Sequence, residues 1–246
     1  MNSNKKSHQQ NVDNLEVLTT QVATFQPVFN PSETRLAISN QVQLKRNGDE
    51  VLIGVMVAES ACDNAVAART KAFDGLESLV TRVINGLRIS DVTEQTINQC
   101  ESIVRELRNK RASEIVPPAE PVEGTETEEP ARHNKMRSGS YNTKIENFTK
   151  LMILLSTLPT YKPNETDITI ASLGVKLETL KLSNTGCINA EAAADAARMQ
   201  RQIVLYANKT GLVDIGTDVK LYIKSAYGAS SPQYKSIRGL SFTKLK

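Results

Sequence analysis

"FNPSET" (29–34) returns 132 positions later as "YKPNET" (161–166). An aromatic residue, a proline and a Glu-Thr pair keep their spacing, and what this phrase opens decides how the chain folds. Pro31 and Pro163 interrupt any helix that arrives at them. Ser32 and Asn164 then offer side-chain oxygens to otherwise unpaired amides, while Glu33 and Glu165 suit the positive end of a helix. The phrase is therefore read as a helix start that the chain uses twice.

Helical spacing surrounds both copies. Leu15, Leu18, Val22 and Phe25 precede the first, and Phe148, Leu151, Leu155 and Leu158 precede the second. The helix begun at Ser32 is expected to stop near "RNGD" (46–49), where Asn-Gly is a turn signal. Val51, Val55, Ala58, Cys62 and Ala65 then share a third helix, and Leu76, Val80, Val83 and Leu87 a fourth. Asp91 with Glu94 offers a capping box for a fifth helix carrying Ile97, Cys100, Val104 and Leu107. In the second half Ile170, Leu173, Leu177 and Leu180 follow heptad spacing, a seam that could also serve a homo-oligomer. An Ala-rich helix, "INAEAAADAARMQRQIVLY" (188–206), follows. Leu212, Ile215, Val219, Tyr222 and Ala226 face one way on the next helix. Gly228 is expected to end that helix, and Ser231 with Pro232 to start a short last one.

Sliding one half over the other extends the match. Leu15, Leu18, Val22 and Phe25 fall on Phe148, Leu151, Leu155 and Leu158 at an offset of 133. Glu59, Ala61, Asp63, Ala65 and Arg69 fall on Glu191, Ala193, Asp195, Ala197 and Arg201 at 132. Leu79 and Val80 fall on Leu212 and Val213 at 133. Matches that keep their order, with an offset drifting by single residues, imply an internal duplication. The stretches "NETDITIASLGVKLETL" (164–180), "LVDIGTDVKLYIKSAYGASSPQYKSIRGLSFTK" (212–244) and "LVTRVINGLRISDVTEQTINQCESIVRELRNKRAS" (79–113) resemble a family of uncharacterised helical proteins common in Bacteroidota genomes. The resemblance implies a two-part helical layout and carries no activity with it.

Composition agrees with close-packed helices. Aromatics are 4% and Trp is absent, so Ala, Leu, Val and Ile must fill the core. The net charge of +3 names no partner, but its distribution is uneven: the segment from Leu205 onward holds seven basic residues against Asp214 and Asp218. Three cysteines without close pairs, and an N-terminus with no apolar run behind its lysines, point to a soluble protein of the cytoplasm. The longest uninterrupted apolar run is "VLIGVMVA" (51–58), too short to span a bilayer. Residues 1–13 are expected to be a disordered tail, 14–110 a first bundle, 111–142 a flexible acidic Pro/Glu linker and 143–246 a second bundle. The predicted fold is all-α, with two tandem bundles of four to five helices each.

The chemistry-bearing residues are few. His8 lies in the expected tail and His133 in the expected linker, so neither is expected to be held by a core. "GLVDIG" (211–216) lacks the preceding strand and the spacing of a dinucleotide loop. No catalytic residue and no cofactor are assigned, and the chain is not expected to be an enzyme. Glu59 with Asp63, and Glu191 with Asp195, each share a helix face; four such carboxylates could meet on Mg²⁺ or Ca²⁺, against the simpler reading of a solvated face with Asp195 paired to Arg198. Lys220, Lys224, Lys235, Arg238 and Lys244 alternate with tyrosines in a way that suits single-stranded nucleic acid. The competing reading puts the tyrosines in the core and the lysines in water. The leading expectation is a non-enzymatic structural or protein-interaction module that binds a protein partner or itself. A nucleic-acid-associated protein and a metal- or small-ligand-binding bundle are the alternatives, and no membrane partner is expected.

Overall fold

The computed structural model describes residues 7–108 and 141–245, and these are helical with no strand. Eight helices carry them: α1 (His8–Ala23), α2 (Ile38–Phe73), α3 (Leu76–Arg88), α4 (Glu94–Leu107), α5 (Tyr141–Ser156), α6 (Ile170–Tyr206), α7 (Leu212–Tyr227) and α8 (Pro232–Ile237). Most of the expected linker, with His133, lies outside the described residues. Its end does not: residues 141 and 142 open α5, where the Tyr141 ring meets Phe73 edge-on with centroids 4.7 Å apart. Of the expected disordered tail, residues 1–6 lie outside the described residues and residues 8–13 belong to α1, which buries Asn11 and Val12.

The repeated phrase opens a 3₁₀ turn in both places, at Thr34–Leu36 and Thr166–Ile168, and not an α-helix. Ser32 and Asn164 are therefore not caps. The turns are drawn inward by Leu36 and Ile168, both buried, whose carbonyls are satisfied from outside the turn. Gln41 Nε2 donates to the Leu36 carbonyl at 2.8 Å, and the Tyr161 hydroxyl donates to that of Ile168 at 2.9 Å. Only after each turn does a long helix start; Thr169 Oγ1 accepts from the Ser172 amide at the head of α6. The cap of α4 is Thr93, accepting from the Thr96 amide, and not Asp91.

The largest departure from the sequence reading is the length of α2 and α6, of 36 and 37 residues. No break occurs at Arg46–Asp49. Gly48 is buried inside α2, and a Cβ there would lie 3.0 Å from Val12 Cγ2 and 3.2 Å from Leu212 Cδ1. The missing side chain admits α1 and α7 close to α2, and that packing outweighs the roughly 1 kcal/mol that a helical glycine costs. Lys45 reinforces the same turn, reaching Asp49 at 2.9 Å and Glu16 of α1 at 3.2 Å. In α6 the buried face of Leu173, Leu177 and Leu180 continues through Asn184 and Cys187, so the heptad stretch and the Ala-rich stretch are one helix. Its seam is closed by its own core.

The compact units do not follow the sequence halves. One comprises residues 1–64 and 189–246, the other 65–188. This replaces the expected division at 14–110 and 143–246. The cause is the continuity of α2 and α6: each helix starts in one unit and ends in the other. In the first unit α1 packs on α7 and α8, and the first 3₁₀ turn packs on α7. Its core includes Leu15, Leu18, Val22, Leu205, Leu212 and Ile223. In the second unit α4 packs on α5 and α3, and the second 3₁₀ turn packs on α3. Its core includes Val83, Leu87, Leu107, Phe148, Leu155 and Leu180. Cys100 belongs to it as well; burial pushes its thiol up to about 11, so a protonated, apolar sulfur fills that position.

Candidate functional site

The two carboxylate pairs, Glu59 with Asp63 and Glu191 with Asp195, lie on α2 and α6. Glu59 on α2 and Asp195 on α6 do converge, but on a guanidinium. Arg198 donates from Nε to Glu59 at 3.0 Å and from a terminal nitrogen to Asp195 at 2.8 Å. These hydrogen bonds raise the arginine's pKa, so the positive charge a cation would bring is already supplied. Among the described residues no three His, Cys, Asp or Glu side chains gather to hold a metal ion. Asp63 and Glu191 therefore do not complete a ligand set.

The basic C-terminal segment is largely occupied with its own fold. Lys220 donates to the carbonyls of Arg238 and Leu240, and partial burial lowers its pKa. Lys244 pairs with Asp214 at 2.9 Å, and Lys224 lies 5.9 Å from the centre of the Tyr234 ring. Lys235 and Arg238 are exposed. The tyrosines are also engaged: Tyr222 meets Phe29 edge-on at 5.3 Å, and the Tyr227 hydroxyl donates to the Phe25 carbonyl. Bases would find few free ring faces here.

His8 is held, contrary to the reading that placed it in a loose tail. Its Nδ1 lies 2.6 Å from the Tyr206 hydroxyl, which also accepts from Asn11 Nδ2 at 3.5 Å. Which of the two atoms donates is set by the tautomer of the ring. Asn11 further clamps Thr243 from both sides, at 2.9 and 3.0 Å. Partial burial, and then the charge of Arg201, lower the histidine pKa below 6.5. Below pH 6.5 the unfolded chain takes up a proton that the folded chain refuses, so stability falls with acidification until the lowered folded pKa is reached. The midpoint of urea unfolding is expected to drop between pH 7 and pH 5, and His8→Phe is expected to flatten that slope. An unchanged slope in the variant would remove His8 from this role.

Each 3₁₀ turn carries an ion pair that the sequence reading missed. Arg35 in the first turn meets Asp218 of α7 at 2.6 Å, with Glu33 at 3.7 Å on its other side. In the second turn the residue is an acid: Asp167 accepts both terminal nitrogens of Arg82 on α3, one of them at 3.0 Å. The guanidinium holds the Asp167 carboxyl below the usual range. A cavity of about 450 Å³ opens beside the first pair, bounded by Lys209 and Asp214, and one of about 620 Å³ beside the second, bounded by Asp74 and Lys176. Both cavities are lined by charges of both signs. The signal was present in the sequence: Arg35 and Asp167 follow the repeated phrase at the same offset of 132 with opposite charge.

The exposed apolar residues form the remaining feature. Ile53, Met56 and Val57 on α2 are each more than half exposed, and Val42, three turns earlier, is 49% exposed. They share one face at i, i+3 and i+4 spacing. On composition the helical span Ile38–Arg88 also contains a window long and apolar enough to cross a membrane. An uninterrupted-run criterion does not register it, because the apolar pattern resumes after Glu59 and Asp63 with Ala65, Val66, Ala67 and Ala68. No protein-family profile, curated protein or solved structure matches this chain.

Proposed function

We propose that the chain is a non-enzymatic protein-interaction module, built by internal duplication, that offers the apolar face of α2 to another protein surface, a second copy of itself included. The observation that carries the interaction role is the cluster of Ile53, Met56 and Val57 in open solvent. Single exposed apolar residues are ordinary, whereas a contiguous group at helical spacing marks a contact surface.

The duplication has its own support. The order of helix, 3₁₀ turn, long helix and two further helices occurs twice, with first helices of 16 residues each. Aromatic contacts recur at matched positions: His8 with Tyr206 in one unit, Tyr141 with Phe73 in the other, related by an offset of 133. The arginines that attend them are matched as well. Arg201 acts on His8 through its charge, and Arg69 lies 4.3 Å from the centre of the Tyr141 ring. On this reading each half lends its last two helices to the unit begun by the other, and each unit is a small helical bundle.

Sedimentation of the full chain and of Ile53→Glu/Val57→Glu tests the interaction role. The wild-type mass is expected to rise with concentration toward twice that of the chain, insensitive to salt, and the variant mass is expected to stay constant. Equal curves for the two, with no protein captured by the wild type that the variant fails to capture, would overturn the reading. Loss of binding only in a lipid-vesicle flotation assay would reassign the face to a membrane.

A further inference from the structure

The repeated phrase is nearly the same in both halves, and the residue that distinguishes the two turns electrically is the one just after it. Arg35 and Asp167 occupy equivalent places, each faces a helix of the opposite half, and each finds the opposite charge there. We infer that this charge reversal is a pairing code, which lets the turn of one half accept helices of the other half and rejects the same half of a second copy.

Duplicated halves face a specific hazard. Each turn could dock on the equivalent helix of an identical half in another chain, and such contacts link chains together. In a pairing of two first halves, Arg35 would meet α3, which presents Arg82. In a pairing of two second halves, Asp167 would meet α7, which presents Asp218, with Asp214 one turn before it. Both like-half pairings bring like charges together, and both mixed pairings bring opposite charges together. Discrimination of this kind rests on the penalty for the wrong partner as much as on the attraction to the right one. Glu33 and Glu165 are acids in both halves and contribute nothing to the choice. Arg82 stands one helical turn earlier than the position matching Asp218, so the turn residues are the clean place to invert the code. Arg35→Asp would reproduce the carboxylate that Arg82 already binds, and Asp167→Arg would reproduce the guanidinium that Asp218 already binds.

The inference rests on the duplication reading, and its test is made in the Ile53→Glu/Val57→Glu background so that the α2 face does not contribute. In that background Arg35→Asp/Asp167→Arg opposes like charges in the mixed pairings and matches opposite charges in the like-half pairings. Its mass is expected to rise with concentration toward twice the background value at low salt. The rise should disappear as salt screens the pairs. Arg35→Gln/Asp167→Asn breaks the same two pairs without creating new ones and is expected to keep the background mass. Arg82→Asp/Asp218→Arg makes the same inversion from the helix side and is expected to associate in the same way, which keeps the test open if the first double variant folds poorly. A background mass for both charge-inverted chains would overturn the code, as would equal association by the neutral variant. Neither result bears on the α2 face, whose own test compares the wild type with the background variant.

Discussion

Arg46→Pro is expected to destabilise the chain by about 3 kcal/mol or more, and Arg46→Ala to change stability by no more than about 0.5 kcal/mol. Residue 46 is exposed, so no core contact is lost in either variant. The cost of proline comes from the backbone. It removes the amide that bonds to the carbonyl of residue 42, and its ring collides with that carbonyl. It also pushes Lys45 away from helical dihedrals, and Lys45 holds Asp49 and Glu16. A loop at Arg46–Asp49, as the local sequence suggests, would accept proline almost without penalty. The continuous α2 would not. Urea unfolding followed by far-UV circular dichroism reads the difference, and a midpoint for Arg46→Pro equal to that of Arg46→Ala would mean that the helix does not run through Gly48.

That contrast shows where local sequence stops being informative. Apolar spacing identified helices correctly because burial on one face is a local pattern. The end of α7 and the start of α8 were also legible: Gly228 takes a φ of +88°, and Ser231 accepts from the Tyr234 amide at 3.1 Å. Both depend only on neighbouring backbone. Asn47-Gly48 carries an equally strong local signal, and it is overruled by Val12 and Leu212, which lie far away in sequence. The partner of each helix face was illegible for a related reason. A face built from Leu, Val and Ile accepts an apolar helix from anywhere in the chain, so spacing alone cannot say which one it meets. His8 looked unheld because its partner, Tyr206, is 198 positions away. Of the candidate sites, the Asp195–Arg198 pair was legible from i,i+3 spacing, whereas Glu59 joining it required the fold. The opposite charges at 35 and 167 could have been read directly; their meaning could not, because it depends on which helix each turn faces.

Phe148→Ala supplies the second large effect and bears on what two shared helices do. Phe148 is fully buried on α5, and removing most of its side chain is expected to cost about 3–5 kcal/mol. The more informative result is where the loss is felt. In two independent tandem bundles the damage would stay with residues near α5, and other amides would keep their protection. Here α2 packs Leu44 and Leu52 against the core of the first unit and Phe73 against that of the second, while α6 places Leu205 in the first and Leu177 in the second. Unfolding the second unit therefore frees the ends of two helices that the first unit needs, and extended α-helices are poorly stable once their packing is lost. Hydrogen exchange of Phe148→Ala is expected to show faster opening of α1 and α7, although neither belongs to the unit that holds Phe148. Wild-type protection in α1 and α7, beside lost protection in α4 and α5, would mean that α2 and α6 transmit no stability from one core to the other.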